Sequence, residues 1–398
     1  MSGADVRGKA DGAPRVVMVN WVYSPEHGGG ARQCQLLVRQ LLQRGVQVEV
    51  IARTRTRALL GTSIVDGVVV RRVPDENGRP GSRVRTAMAL MAELYRCAWA
   101  EIVHTHGFMP EVAVAARTMG KRLVQKVTLV GLDDATSLQR RRLGSFALRL
   151  AKTADAVVGP SQAAIVQSLA AGVPAQKLWA IPNGVDLRRF RPASIREKKE
   201  LRQALHLDAG AFLVAFVGSS ERRKGLDLAM SAVAMARKKG LRSAQLVVLG
   251  PKPYDASQPG FDEHARTDLH GKAFHRAVHF VGLTADVPEY LRAADLFVLP
   301  SRAEGQPNAL LEAMACGLPC VARRLDGVTD ELLLNGRRGR LVDGDEAEDF
   351  ARALLELAES PQTRKTLGAE ARAYVERHHD IGRVADAYCA LYGTLLRR

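Results

Sequence analysis

The chain has 398 residues, more than one ordinary domain holds, so two domains are the starting expectation. At 46% hydrophobic and 25% charged it reads as soluble and globular, and no apolar run reaches the roughly eighteen residues a membrane-spanning helix needs. The net charge of +16 is uneven: residues 1–184 carry 25 Lys/Arg against 13 Asp/Glu, a net of +12, and residues 185–398 carry 33 against 29, a net of +4. A half that basic points to an anionic partner, while 5% aromatics and no recognition motif argue against nucleic acid. The five cysteines are odd in number and scattered, and Cys316 and Cys320 have three residues between them, not the two of a zinc or redox pair. Reduced thiols in a cytoplasmic protein are the expectation.

Residues 1–14 form a polar tail without the apolar segment of a secretory signal. The run RVVMVN (Arg15 to Asn20) is a buried strand, followed by the loop WVYSPEHGGG and a helix stopped by Gly45. VQVEVIAR, VVVRRV, EIVHTH, LVQKVTLV and AVVGPS continue as strands, apolar on both faces as in helix-covered parallel sheets. After IPNGVDLRRFRP (Ile181 to Pro192) a second series begins, with strands FLVAFVG, QLVVLG, VHFVG, LFVLPS and PCVA separated by helical segments. Strand–helix alternation twice over gives two doubly wound α/β domains, joined near Asn183–Gly184. The expected division is residues 15–184, residues 185–378, and a last helix over 379–398 that packs back towards the first domain. Ligands of such folds sit beyond the carboxyl ends of the strands, and with two domains the natural place is the cleft between them.

Two strand-to-helix loops of the second series carry chemistry. In SRAEGQPNALLEAMACG, Glu304 lies in the loop and Glu312 on the following helix, with seven residues between them; the core needs neither carboxylate. In VGSSERRKGLDLAM, Arg223 and Lys224 stand just before a helix N-terminus, where amides and the helix dipole favour anions. An isolated basic pair is more often a solvated loop. Here the pair and the two acids share one rim of one sheet, which favours a ligand with phosphates for the cations and hydroxyls for the carboxylates.

On these residues the chain resembles the retaining GT-B glycosyltransferases of glycosyltransferase family 4, from about Val16 onward and most strongly over 181–322. The Glu304-x7-Glu312 pattern is the most specific signature, supported by RKG (Arg223 to Gly225) and IPNGVD (Ile181 to Asp186). The resemblance implies two Rossmann-like domains facing a cleft. It gives Glu312 the ribose hydroxyls, Glu304 the donor sugar, and Arg223 with Lys224 the diphosphate. Backbone amides of Gly305, Gln306, Pro307 and Asn308 would meet sugar and phosphate, and the loop at Gly282 and Leu283 would lie against the base. Relatives commonly have Gly-Arg where this chain has Gly218–Ser219, so Arg223 is expected to take over that charge.

In the first half, Gly28, Gly29 and Gly30 form a turn that resembles the family's loop facing the donor phosphates, and is not a G-x-G-x-x-G fingerprint. His104 and His106 end a strand pointing the same way. No third ligand is evident, so a metal site is not expected, and the resemblance puts His106 at the reacting centre. Asp133–Asp134 is not a metal-binding D-x-D. The segment SLQRRRLGSFALRLAK, with Arg140 to Arg142, reads either as a core helix or as a basic helix lying on an anionic membrane.

The function implied is retaining hexosyl transfer, without metal or other cofactor, from a UDP- or GDP-linked sugar to a glycan or lipid-linked saccharide. The setting expected is the cytoplasm, with a peripheral place at the inner membrane face. Two other readings stand beside it: a GT-B epimerase or phosphorylase, and a silent sugar-nucleotide or membrane-binding module.

Overall fold

A computed structural model describes residues 12–26, 28–75, 81–130, 144–251 and 277–397. The chain divides into two compact units, one comprising Met1–Pro160, Ala164–Gly184 and Ile381–Arg398, the other Ser161–Ala163 and Val185–Asp380. In chain order the elements up to Gly184 are β1 (Arg15–Asn20), α1 (Gly29–Gln43), β2 (Gln47–Thr54), β3 (Gly61–Val65), β4 (Val68–Pro74), α2 (Ser82–Arg96), β5 (Ile102–His106), α3 (Pro110–Thr118), β6 (Arg122–Lys126), α4 (Gly144–Lys152), β7 (Ala156–Gly159), α5 (Gln162–Ala170) and β8 (Leu178–Ala180). There follow α6 (Ile195–Ala204), β9 (Phe212–Val217), α7 (Leu226–Lys238), β10 (Ala244–Leu249), β11 (Val278–Gly282), α8 (Val287–Ala293), β12 (Leu296–Leu299), α9 (Asn308–Ala315), β13 (Cys320–Arg323), α10 (Thr329–Leu333), β14 (Arg340–Val342), α11 (Ala347–Glu359), α12 (Pro361–His378) and α13 (Ile381–Leu396).

The first unit is built on an eight-stranded sheet in the order β3-β4-β2-β1-β5-β6-β7-β8, parallel except for β3. Its strands are runs of Val, Ile and Leu because both faces are covered. One face packs Val16, Met18, Val50 and Ile102 against Leu37 and Leu41 of α1 and Tyr388, Leu391 and Tyr392 of α13. The other packs Val17, Ile51 and Val103 against Leu90 and Leu94 of α2 and Val112 and Ala116 of α3. Helix α13 therefore completes the core of the first unit.

Two strand expectations need correction. The run LVQKVTLV pairs only as far as Lys126, after which the Val127 amide bonds the Val158 carbonyl and the chain leaves the sheet. Strand β3 is an addition: it pairs with β4 in a hairpin whose two-residue loop, Asp66–Gly67, has positive φ at both positions (52° and 78°). An Asp-Gly between apolar runs is the turn chemistry that such hairpins favour.

The second unit holds a six-stranded, wholly parallel sheet in the order β11-β10-β9-β12-β13-β14. Ala215, Phe297 and Leu299 face Leu310, Leu311 and Met314 of α9 and Leu291 of α8. Val214, Phe216 and Val298 face Ala229 and Val233 of α7 and Phe350 and Leu354 of α11. The chain runs β9 to β10 to β11 towards one edge, then returns past β9 to place β12 on its other side. The loops after β9 and β12 thus diverge at a topological switch point, where parallel sheets open a crevice for ligands.

Candidate active site

At the switch point of the second unit, β9 leads through Gly218 into a single 3-10 turn, Arg222–Lys224, and Gly225 then starts α7. Gly225 has φ 72°, and a Cβ there would lie 2.3 Å from the Pro300 carbonyl oxygen. Only glycine lets this turn lie against the loop that follows β12. The close approach has a chemical result: Lys224 Nζ donates to Glu304 Oε1 at 2.7 Å. Arg223 Nη1 donates to the Ala303 carbonyl at 2.9 Å and stands 3.5 Å from Glu304 Oε2. Glu304 is only 7% exposed. A carboxylate that buried is tolerable because two cations face it.

The loop continues through Gly305 and the buried Gln306 to α9. Pro307 is the cap residue, not the first helical residue, and Asn308 begins the helix with no side-chain cap bond from Pro307. Glu312 follows one turn later at 4% exposure, an unusual place for a carboxylate. The neighbouring strands end on glycines: the Gly218 amide bonds the Leu249 carbonyl, and the Gly250 amide bonds the Gly282 carbonyl. Gly250 has φ 149°, and a Cβ on it would come within 1.9 Å of the Gly218 oxygen. Leu283, just past β11, is exposed. The carboxyl edge of one sheet thus carries Gly218, Arg223, Lys224, Gly282, Leu283, Glu304 to Asn308, and Glu312.

The sequence reading missed Arg302, which organises this edge. Its amide bonds the Arg223 carbonyl at 2.7 Å, and its guanidinium reaches the Arg222 carbonyl, Asp227 and Asp345. Asp227 and Asp345 lie 75 and 43 residues away in sequence, so no local spacing announced the cluster. Gly250 was missed as well, although VVLG ends a strand as FVG does.

Gly29, Gly30 and His106 belong to the first unit. Gly28 caps α1, and Gly29 and Gly30, expected in the turn, are instead its first two residues; all three are exposed, and Asn20 Nδ2 donates to the Gly30 carbonyl at 3.2 Å. His106 is 1% exposed, and neither ring nitrogen has a hydrogen-bond partner among the described residues. Its strand neighbour Lys126 is 4% exposed, and its Nζ donates to Asn183 Oδ1 at 2.7 Å. No carboxylate pairs with that ammonium among the described residues, and burial brings its pKa down to about 8. Burial, with Lys126 as a second cause, holds His104 at about 3, and its Nδ1 lies 2.7 Å from the Tyr392 hydroxyl. Burial, then His104 and Lys126, likewise keep His106 well below the usual histidine range, so both imidazoles are neutral at pH 7. Among the described residues no group of three or more His, Cys, Asp or Glu could hold a metal ion, and no helix is long and apolar enough to cross a membrane. Arg140 to Arg142 and Asp133–Asp134 lie outside the described residues.

Comparison with known proteins assigns this architecture. Residues 211–360 match the family described as Glycosyl transferases group 1, and residues 27–189 match Glycosyltransferase Family 4. The chain is 30% identical over 353 residues to D-inositol 3-phosphate glycosyltransferase 1 of Catenulispora acidiphila, covering 84% of this chain and 83% of the relative. The corresponding protein of Kribbella flavida is 28% identical over 411 residues, 92% of each chain. Among solved structures, Anabaena Alr3699/HepE in complex with UDP and glucose superposes with a TM-score of 0.77 at 19% identity, covering 96% of this chain and all of that one. Sucrose-phosphate synthase of Thermosynechococcus elongatus gives 0.77 at 20% identity, with 96% and 99% covered. The two Rossmann-like units have the GT-B fold, and the matching families make the chain a glycosyltransferase, an enzyme that moves a sugar from a nucleotide-diphosphate donor to an acceptor. Within that class, the chain belongs to glycosyltransferase family 4.

Proposed function

We propose that the second unit binds the donor through its β9 and β12 loops, and that transfer retains the anomeric configuration. The observation that carries this is the Lys224–Glu304 pair at 2.7 Å, with Arg223 beside it at the switch point. Lys224 and Arg223 meet the diphosphate, Glu304 the sugar hydroxyls and Glu312 the ribose. The amides at the start of α9 add donors for sugar and phosphate, and Gly282 and Leu283 flank the base. Ser219 follows the first glycine of this loop and brings no charge, so Arg223, reaching the Ala303 carbonyl, supplies the second cation beside Lys224.

In the transfer, the bond from C1 of the sugar to the diphosphate oxygen breaks and its electron pair stays on the phosphate. Lys224 and Arg223 stabilise the charge that develops there. The acceptor oxygen bonds C1 on the face the diphosphate leaves, and its proton passes to a phosphate oxygen. Two side-chain cations neutralise the leaving group, so the reading is of transfer without a metal, and turnover in EDTA tests that part. His106, neutral and with unfilled hydrogen-bonding positions, is suited to a sugar hydroxyl. The anomeric configuration of the isolated product checks retention.

The +12 charge of residues 1–184 and the inositol 3-phosphate named for the relatives favour an acceptor bearing phosphate. Binding of the same basic half to an anionic membrane is the second reading. Co-sedimentation with phosphatidylglycerol vesicles tests it. For the donor, thermal-shift measurements against UDP, GDP and their sugars decide, because a ligand of the native state raises Tm by mass action. If none of them moves the transition, the assignment of this edge to a donor fails.

A further inference from the structure

We infer that Arg302 is a positioning residue for the donor site: it does not touch the donor, but holds the Arg222–Lys224 turn where Lys224 and Arg223 can meet a diphosphate. This rests on the donor reading given above.

Arg302 follows β12 by three residues, and its backbone amide bonds the Arg223 carbonyl at 2.7 Å. Its Nη1 donates to the Arg222 carbonyl at 2.6 Å and to Asp227 Oδ1 at 3.1 Å, while Nη2 donates to Asp227 Oδ2 at 3.0 Å. Nε lies 3.4 Å from Asp345 Oδ2, and Asp345 also pairs with Arg323 at the end of β13. One side chain therefore ties together the loop after β9, the first turn of α7 through Asp227, and the segment after β14.

Four contacts engage Nε and both terminal nitrogens of the guanidinium, and two carboxylates oppose its charge. The residue is thus spent on protein groups and is poorly placed to bind phosphate itself. Its guanidinium holds the Arg222 carbonyl and its backbone amide the Arg223 carbonyl, the two carbonyls that set the turn's path. Lys224 and Arg223 leave that turn towards Glu304, and Lys224 is followed by Gly225, whose left-handed φ gives the turn a fixed exit. A lysine at 302 would keep the charge but lose the planar fork that serves a carbonyl and a bidentate carboxylate together.

The experiment is calorimetric titration of UDP and of GDP into the full-length wild type, Arg302→Gln, Arg302→Lys, Lys224→Ala and the Arg302→Gln/Lys224→Ala double variant, each checked by circular dichroism and Tm. Whichever nucleotide the wild type binds is the probe. The expectation is that Arg302→Gln weakens nucleotide binding about tenfold in a protein that still melts cooperatively. Arg302→Lys is expected to be weakened too. In the double variant the Arg302→Gln effect should largely vanish, because the cation that it positions is gone. Asp345→Asn, which removes only the most exposed partner, should bind as wild type does.

Wild-type affinity in Arg302→Gln overturns the inference, as do full and additive losses from the two substitutions. If Arg302→Gln does not fold, Arg302→Lys decides: affinity equal to wild type overturns positioning by the fork, and weakened binding in a folded protein supports it. A wild type that binds neither nucleotide sinks the donor reading instead.

Discussion

The two parallel sheets end in different kinds of polar group. At the carboxyl edge of the second sheet charge is matched: the buried Glu304 faces Lys224 and Arg223, and the partly exposed Arg302 faces Asp227 and Asp345. At the corresponding edge of the first sheet Lys126 is buried with an amide oxygen and, among the described residues, no acid, beside histidines that burial keeps neutral. Matched charge can be held in place for catalysis at modest cost. An unmatched buried cation is a net cost to the fold that hydrogen bonding only partly offsets. Substitution of the charged side chains at the second sheet's edge should therefore strike turnover first, substitution of the glycine that packs their turn should strike stability, and substitution of Lys126 should change stability.

The sharpest test of that contrast is Lys224→Ala. Turnover should fall about 100- to 1,000-fold, because charge on the leaving group goes unanswered, while Tm falls by much less, because Arg223 still faces Glu304. Steady-state kinetics beside a melting curve would measure both, and a collapse of Tm with little kinetic loss would reverse the contrast. Next in size is Gly225→Ala. The left-handed φ and the 2.3 Å approach to the Pro300 oxygen should cost about 2–4 kcal/mol in denaturant unfolding.

Lys126→Met should do the opposite of most core substitutions and stabilise the protein by about 1–2 kcal/mol at pH 7. The folded-state pKa of about 8 lies below the 10.5 of a solvent-exposed lysine, so the wild type bears the cost of the buried charge fully below pH 8. As pH rises from about 8 to about 10.5 the native lysine loses its proton before the unfolded one does, and wild-type stability gains. The advantage of the variant should shrink over that window. Urea melts of the pair at pH 7, 9 and 10 would check it, and an advantage constant with pH would show that Lys126 is not the titrating group. The smallest effect expected is for Tyr392→Phe, which removes the 2.7 Å contact with His104 Nδ1 and should cost about 1 kcal/mol.

The doubly wound class was legible because buried parallel strands and their covering helices write two distinct periodicities into the chain. Glu304, Arg223 and Lys224 were legible because they lie in the loops just past strand ends, and Glu312 because it is a carboxylate inside an otherwise apolar helix. Arg302 sits in the same short motif and was passed over, since its meaning depends on Asp227 and Asp345, which only the fold brings near. The β3–β4 hairpin could have been found from Asp66–Gly67. The setting of Lys126 could not, because which groups surround a buried side chain is a property of three dimensions.

Helix α13 has a consequence for how the protein is made. Residues 381–396 supply Tyr388, Leu391 and Tyr392 to the interior of the unit that is otherwise translated first. During synthesis the leading half must wait on the ribosome with an open apolar face, while the trailing half, nearly continuous from Val185 to Asp380, already has every residue of its own sheet. The order of completion is thus inverted relative to the order of emergence, and the waiting half is where a chaperone would be needed.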